Sequence, residues 1–176
     1  TRLMSLADVG NAAGVFLSPD ARFASIGVTD SQNRTDLWRV ETTSGQRTRL
    51  TLETSPGALN SWVAWSPDGR EIMPGVRRDG RQAVVRRPAT GTGKEALAYA
   101  IPEGKIGSGL PRVSTWARDG NWLGYSGSGV GGIFIVPLGV SSATDNGLVL
   151  GQAQNIRLAP NGRWFSYQDD PSGNSP

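Results

Sequence analysis

The stretch Trp65-Ser66-Pro67-Asp68-Gly69-Arg70 decides the fold, because it reads as a tight hairpin and because it recurs. A large apolar residue closes one strand, and an aspartate side chain can accept hydrogen bonds from nearby backbone N–H groups. Glycine then takes the positive φ that the turn requires. Three further copies align with it: Leu17-Ser-Pro-Asp20-Ala-Arg22, Trp116-Ala-Arg-Asp119-Gly120-Asn121 and Leu158-Ala-Pro-Asn161-Gly162-Arg163. The turn residues Asp20, Asp68, Asp119 and Asn161 lie 48, 51 and 42 positions apart. Such a period is the length of one four-stranded propeller blade.

Other features recur in phase. Ala24, Ile72, Leu123 and Phe165 stand two places after the Arg/Asn position and are expected to face inward, as are Leu17, Trp65, Trp116 and Leu158. Leu37–Val40, Ala83–Arg86 and Ile133–Val136 read as third strands, each followed by a turn at Gly45, Gly91 or Gly139. Leu50-Thr-Leu52, Ala96-Leu97 and Leu148-Val-Leu150 read as fourth strands. Thr1-Arg2-Leu3 with Gly10 repeats Thr48-Arg49-Leu50 with Gly57, so residues 1–10 are expected to hold the outer strand of a preceding blade. The predicted blades are 11–57, 58–104 and 105–152, with a partial one at 153–176. The expected fold class is all-β: a single domain, residues 1–176, forming an incomplete propeller of four-stranded antiparallel blades. Thr1 in place of Met, and a tail that stops where a third strand should begin, lead to the expectation of an excised or processed piece.

Composition agrees. Of 176 residues 24 are Gly and 11 Pro, so turns are frequent. No apolar run approaches the ~20 residues of a membrane span. Neither Cys nor His occurs, which removes disulfides, thiolate nucleophiles and any complete Ser-His-Asp site within the chain. The net charge of +3 is mild and the arginines are dispersed, unlike the basic stripe of a nucleic-acid binder.

The Ser-Pro-Asp-Gly-Arg turn, Asp36-Leu-Trp-Arg-Val40, Thr43-Ser-Gly45 and Arg49-Leu-Thr51 together resemble the TolB-like, WD-repeat-like propeller repeat of bacteria. Asn155 to Tyr167 is similar to propellers fused behind bacterial serine/threonine kinases. The resemblance covers nearly the whole chain; blade three departs from it, with Ala117-Arg118 in place of Ser-Pro. It implies a parent of six or seven blades, periplasmic or otherwise extracytoplasmic, that works by binding proteins rather than by catalysis. Similar propellers also cap prolyl-oligopeptidase-type hydrolases.

Motifs for chemistry fail on their surroundings. Gly127-Ser-Gly-Val-Gly-Gly132 has the spacing of a dinucleotide fingerprint, but the strand-like Ile133–Val136 follows where a helix must. Gly91-Thr-Gly-Lys94 lacks the first glycine and the final hydroxyl of a phosphate loop, having Pro88 and Glu95 instead. Asp20, Asp68 and Asp119 are spoken for by turns, and Asp169-Asp170 reads as a polar loop. No cofactor or metal is expected. The sharpest charged feature is Arg77-Arg78-Asp79-Gly80-Arg81, expected on the face of the ring that binds ligands. Arginine forks suit carboxylates and phosphates, so Arg77, Arg78 and Arg81 are the candidate site for an anionic peptide or ligand, the partner expected being a protein or peptide of acidic character. Trp62, opening an inner strand, is expected to line the central channel; Trp38, Trp65, Trp116, Trp122 and Trp164 are expected in the core. The leading reading is a binding scaffold within a larger envelope or kinase-linked protein. The alternatives are the gating propeller of a hydrolase and a glycosidase acting through a carboxylate pair. Two copies are expected to be able to close one ring.

Overall fold

The turn chemistry accounts for the first strand pair of each blade. In the first copy the Ser18 hydroxyl donates to Asp20 (2.6 Å) and accepts from the Phe23 N–H (3.0 Å), while Asp20 also accepts from the Arg22 N–H (3.1 Å). The second copy repeats this with Ser66, Asp68, Glu71 and Arg70. The third has Ala117 where the serine would stand. It keeps the Asp119 bond to the Asn121 N–H (3.0 Å) and the backbone pair of Ala117 with Trp122. Ala21 replaces the turn glycine and still takes φ 56°, beside 71° at Gly69 and 77° at Gly120. Asn161 and Gly162 lie outside the described residues.

Both Asp20 and Asp68 are held below the usual carboxyl pKa of 3.8, chiefly by the serine hydroxyl and then by the backbone N–H. A carboxyl with a lowered folded pKa stabilises the protein above its unfolded pKa, and that contribution disappears as pH falls through the folded value. The thermal midpoint of the wild-type chain is therefore expected to fall more steeply below pH 3.8 than that of an Asp20→Asn, Asp68→Asn variant. Equal slopes in acid titrations of the two would contradict this assignment.

The computed structural model describes residues 11–127, 132–139, 148–150, 153–159 and 164–169. Its described elements are all strands. The first sheet contains β1 (Asn11–Leu17), β2 (Phe23–Thr29), β3 (Thr35–Glu41) and β4 (Arg47–Arg49). The second contains β5 (Leu59–Trp65), β6 (Glu71–Arg78), β7 (Arg81–Pro88) and β8 (Ala96–Ala100). The third contains β9 (Arg112–Trp116), β10 (Trp122–Ser126), β11 (Ile133–Pro137) and β12 (Leu148–Leu150). A last hairpin pairs β13 (Ala153–Leu158) with β14 (Phe165–Asp169). Each sheet is an antiparallel meander in sequence order, and the first strands β1, β5, β9 and β13 lie side by side.

Successive sheets pack face to face, and the core consists of these seams. Leu37 of the first sheet and Leu50, just after its last strand, meet Val63, Trp65, Ile72 and Val85 of the second. Ala64, Met73 and Val84 on the reverse of that sheet meet Val113, Leu123, Tyr125 and Phe134. Ile133 and Ile135 meet Ile156. The first seam is also polar: the Trp65 indole N–H donates to the Phe16 carbonyl (2.9 Å) and to the Ser25 hydroxyl (3.1 Å).

Some expectations fail here. Leu17 and Phe165, expected to face inward, are 58% and 39% exposed, where no described sheet covers them as one covers Trp65 and Ile72. Trp122 and Trp164, placed in the core by sequence, are 42% and 71% exposed; Trp38 and Trp116 are half-buried, and Trp65 is buried. The fourth strand of the first sheet is Arg47–Arg49, not Leu50–Leu52. After Arg49 the chain is drawn out of the ladder by the buried Asp36. Its carboxylate accepts from the Thr51 hydroxyl (2.7 Å), from the Glu53 N–H (2.9 Å) and from the Arg49 guanidinium. The strand β14 runs through Asp169, into the stretch read as a loop. The expected outer strand at residues 1–10 lies outside the described residues, as do Ser128–Gly131 of the glycine-rich loop.

Candidate functional site

Asp79-Gly80 joins β6 to β7 as a two-residue hairpin with φ 49° and 77°, the pair of positive angles that a type I′ turn needs. The turn fixes Arg77, Arg78, Arg81 and Gln82 at one end of the second sheet. Arg77 and Gln82 then pin the connection that leads from β8 to β9. The Arg77 guanidinium donates to the Ser108 carbonyl. The Gln82 amide donates to the carbonyls of Gly107 (2.7 Å) and Gly109. The Ile101 N–H donates to the Gln82 carbonyl (3.1 Å), and Ile106 is buried beneath.

Between hairpin and connection lies a groove of about 700 Å³. Arg77, Arg81, Gln82, Pro102, Glu103 and Ser108 are among its lining residues, and Asp79 sits at its rim. Arg81 is exposed and forms no ion pair among the described residues. The groove therefore combines an exposed guanidinium, a second one that also holds the wall, the carboxylates of Asp79 and Glu103 and an apolar stretch at Ile101-Pro102. Such a surface can accept a carboxylate and the extended backbone that carries it.

The structure separates the four candidate residues. Arg77 and Arg81 share the groove. Arg78 turns away from it, donating to Glu95 (2.9 and 3.0 Å), to Glu53 (2.8 and 3.3 Å) and to the Ala58 carbonyl. These bonds, the one to Glu95 foremost, hold the Arg78 pKa above the ordinary guanidinium value. Glu95 also pairs with Arg87 at 3.2 Å. Trp62 lies on the inner strand β5, half-buried, with its ring 5.5 Å from Phe16 and 6.0 Å from the Arg112 guanidinium. It does not line the groove. The sequence reading missed Gln82 and the whole 101–111 connection. A glycine-rich run, Gly104 to Gly109, was the available signal, since the carbonyls of Gly107, Ser108 and Gly109 are what Gln82 and Arg77 grip. Among the described residues no group of three or more Asp and Glu could hold a metal ion, and no helix is long and apolar enough to cross a membrane.

Comparison with protein-family models and with curated proteins gives no match. Among solved structures, TolB from Acinetobacter baumannii superposes with a TM-score of 0.68 at 17% identity, over 98% of this chain and 40% of that one. A protein described as TolB from Agrobacterium tumefaciens gives 0.66 at 20% identity, over 93% and 56%. Prolyl oligopeptidase B from Galerina marginata gives 0.52 at 13% identity, over 86% and 24%. The chain thus spans roughly half the length of the TolB structures it matches. Sheet order, seams and these superpositions lead to one result: the chain is an all-β, incomplete propeller with the TolB-like fold.

Proposed function

We propose that this chain is a non-catalytic binding module that takes an acidic peptide segment of a partner protein in the groove between the 79–80 hairpin and the 101–111 connection. One observation carries the reading: Arg81, which forms no ion pair among the described residues, stands over a formed groove whose walls are tied together by Arg77 and Gln82. A preformed site spares the ordering cost that a floppy loop would incur on binding. The TolB-like fold supports a role in protein–protein contact, and the resemblance favours a place in a bacterial envelope or kinase-linked protein. A groove carrying two guanidinium groups suits such an assembly.

The test uses a fluorescein-labelled peptide alternating Glu and Leu, and its Gln counterpart. The Glu peptide is expected to bind with an affinity that falls as salt rises. Arg81→Glu combined with Arg77→Glu is expected to weaken it at least tenfold, or about 1.4 kcal/mol. Equal binding of the Gln peptide, or of the double variant, would remove the proposal. The groove also holds Asp79 and Glu103, so turnover of aryl glycosides by the chain would overturn the non-catalytic part.

A further inference from the structure

Asp68-Gly69, Asp79-Gly80 and Asp119-Gly120 are the Asp-Gly pairs among the described residues. Such a pair carries its own reaction. The glycine nitrogen can attack the carboxyl carbon of the aspartate side chain and close a five-membered succinimide, and the missing glycine Cβ leaves that approach open. The carboxyl and the N–H must both be at liberty to meet, and the fold treats the pairs differently.

At Asp68 both groups are engaged. The carboxylate accepts from the Ser66 hydroxyl (2.6 Å) and the Arg70 N–H (3.0 Å), and the Gly69 N–H donates to the Ser66 carbonyl (2.9 Å). Asp119 likewise accepts from the Asn121 N–H (3.0 Å), while the Gly120 N–H donates to the Ala117 carbonyl (2.9 Å). The 79–80 hairpin engages neither group. Among the described residues the Asp79 carboxylate forms no hydrogen bond or ion pair, and the Gly80 N–H donates to no acceptor. Both residues are exposed, and nothing lies within 4 Å of the Gly80 Cβ position.

We propose that Asp79-Gly80 is a site of spontaneous modification, at which aspartate converts to isoaspartate and resets one wall of the groove. The Gly80 nitrogen bonds to Asp79 Cγ, and the carboxyl hydroxyl leaves as water, taking the amide proton. Water then adds to the main-chain carbonyl carbon of Asp79, and the bond from that carbon to the Gly80 nitrogen breaks. One water leaves and one returns, so the mass is unchanged and nothing is oxidised or reduced. The main chain now runs through the former side chain and is one atom longer. The two-residue turn that pairs Arg78 with Arg81 and Arg77 with Gln82 has no slack for that atom. Arg77 and Gln82 then lose their alignment on the Ser108 and Gly107 carbonyls.

The test is prolonged warm incubation of the folded chain near neutral pH. Peptide mapping by electron-transfer fragmentation, which distinguishes the two isomers, follows. Isoaspartate is expected to accumulate at Asp79 and not at Asp68 or Asp119, whereas in urea, where the turns are gone, it should accumulate at all of them. Equal accumulation at the three sites in folded protein would overturn the proposal. So would an unchanged Asp79 in folded protein that reacts in urea. The isoaspartate form, separated by ion exchange, is expected to lose the Glu peptide. That readout alone rests on the binding role proposed above: if fresh protein also fails to bind, that role falls and the mapping still decides the modification. Fresh and modified protein binding the peptide equally well would overturn the effect on the groove.

Discussion

Replacing Gly75 with alanine is expected to destabilise the protein by about 3 kcal/mol, the upper part of the range for an overpacked interior. A Cβ built on Gly75 would lie 2.0 Å from the Pro111 carbonyl oxygen and 2.8 Å from the Pro111 ring. The obstacle is the backbone of the next blade, so no side-chain rotation relieves it. Pro111 is itself buried, and the preceding Leu110 carbonyl accepts from the Asn60 amide (3.4 Å), which ties the connection to the second sheet. Relief requires the whole seam to open. Since blades touch only their neighbours, a spread seam loses the burial of Met73, Val84 and Val113 together. Gly27 faces a similar obstacle in Ser61, 2.2 Å from the Cβ position. Gly80 provides the control. Its φ is 77°, and nothing lies within 4 Å of its Cβ position, so alanine there costs only the left-handed backbone, roughly 1–2 kcal/mol. Urea unfolding of the three variants should rank Gly75 first and Gly80 last. A Gly75→Ala protein within 1 kcal/mol of wild type would mean that the second and third blades are not packed as described.

What the sequence conveyed followed the distance over which each cause acts. The turns at Asp20, Asp68 and Asp119 were legible because their hydrogen bonds span two to five residues. The phase of the inward positions was legible because strand alternation is local, and Ile72 and Leu123 are fully buried as expected. Burial at the ends was not legible. Leu17 and Trp65 stand at the same place in their repeats, and what separates them is whether another sheet lies alongside. The end of β4 was missed because Asp36, fifteen positions from Thr51, competes with the ladder for the chain after Arg49. Within the site, the hairpin and its charge were visible in Asp79-Gly80 and its flanking arginines. Which arginine faces the groove was not, since it depends on Glu53 and Glu95, 25 and 17 positions away from Arg78.

That division of labour among the arginines gives the second large effect. Replacing Arg78 with methionine keeps much of the apolar stem and removes the fork between two carboxylates. The Glu53 side chain is only 10% exposed and that of Glu95 24%, so each would be left partly desolvated without its main counter-ion. Removing one partner of a buried pair costs about 3–5 kcal/mol. Arg78 is 34% exposed, and solvent screening brings the expectation to about 2 kcal/mol. Arg87 still reaches Glu95, so the deficit should concentrate on Glu53. Adding Glu53→Gln to the Arg78→Met variant should therefore recover part of the loss, with a coupling near 1 kcal/mol in a double-mutant cycle. Because the bonds to Glu95 and Glu53 raise the Arg78 pKa above its ordinary, already strongly basic value, its charge persists in both folded and unfolded chains at any working pH, and its own titration adds no pH dependence there. Binding separates structure from function at this residue. Under conditions where the variants remain folded, the Glu peptide should bind Arg78→Met within about twofold of wild type, while Arg77→Glu with Arg81→Glu weakens it at least tenfold. A stable Arg78→Met protein that has lost the peptide would reverse the assignment, making Arg78 the ligand-reading arginine and Arg81 the bystander.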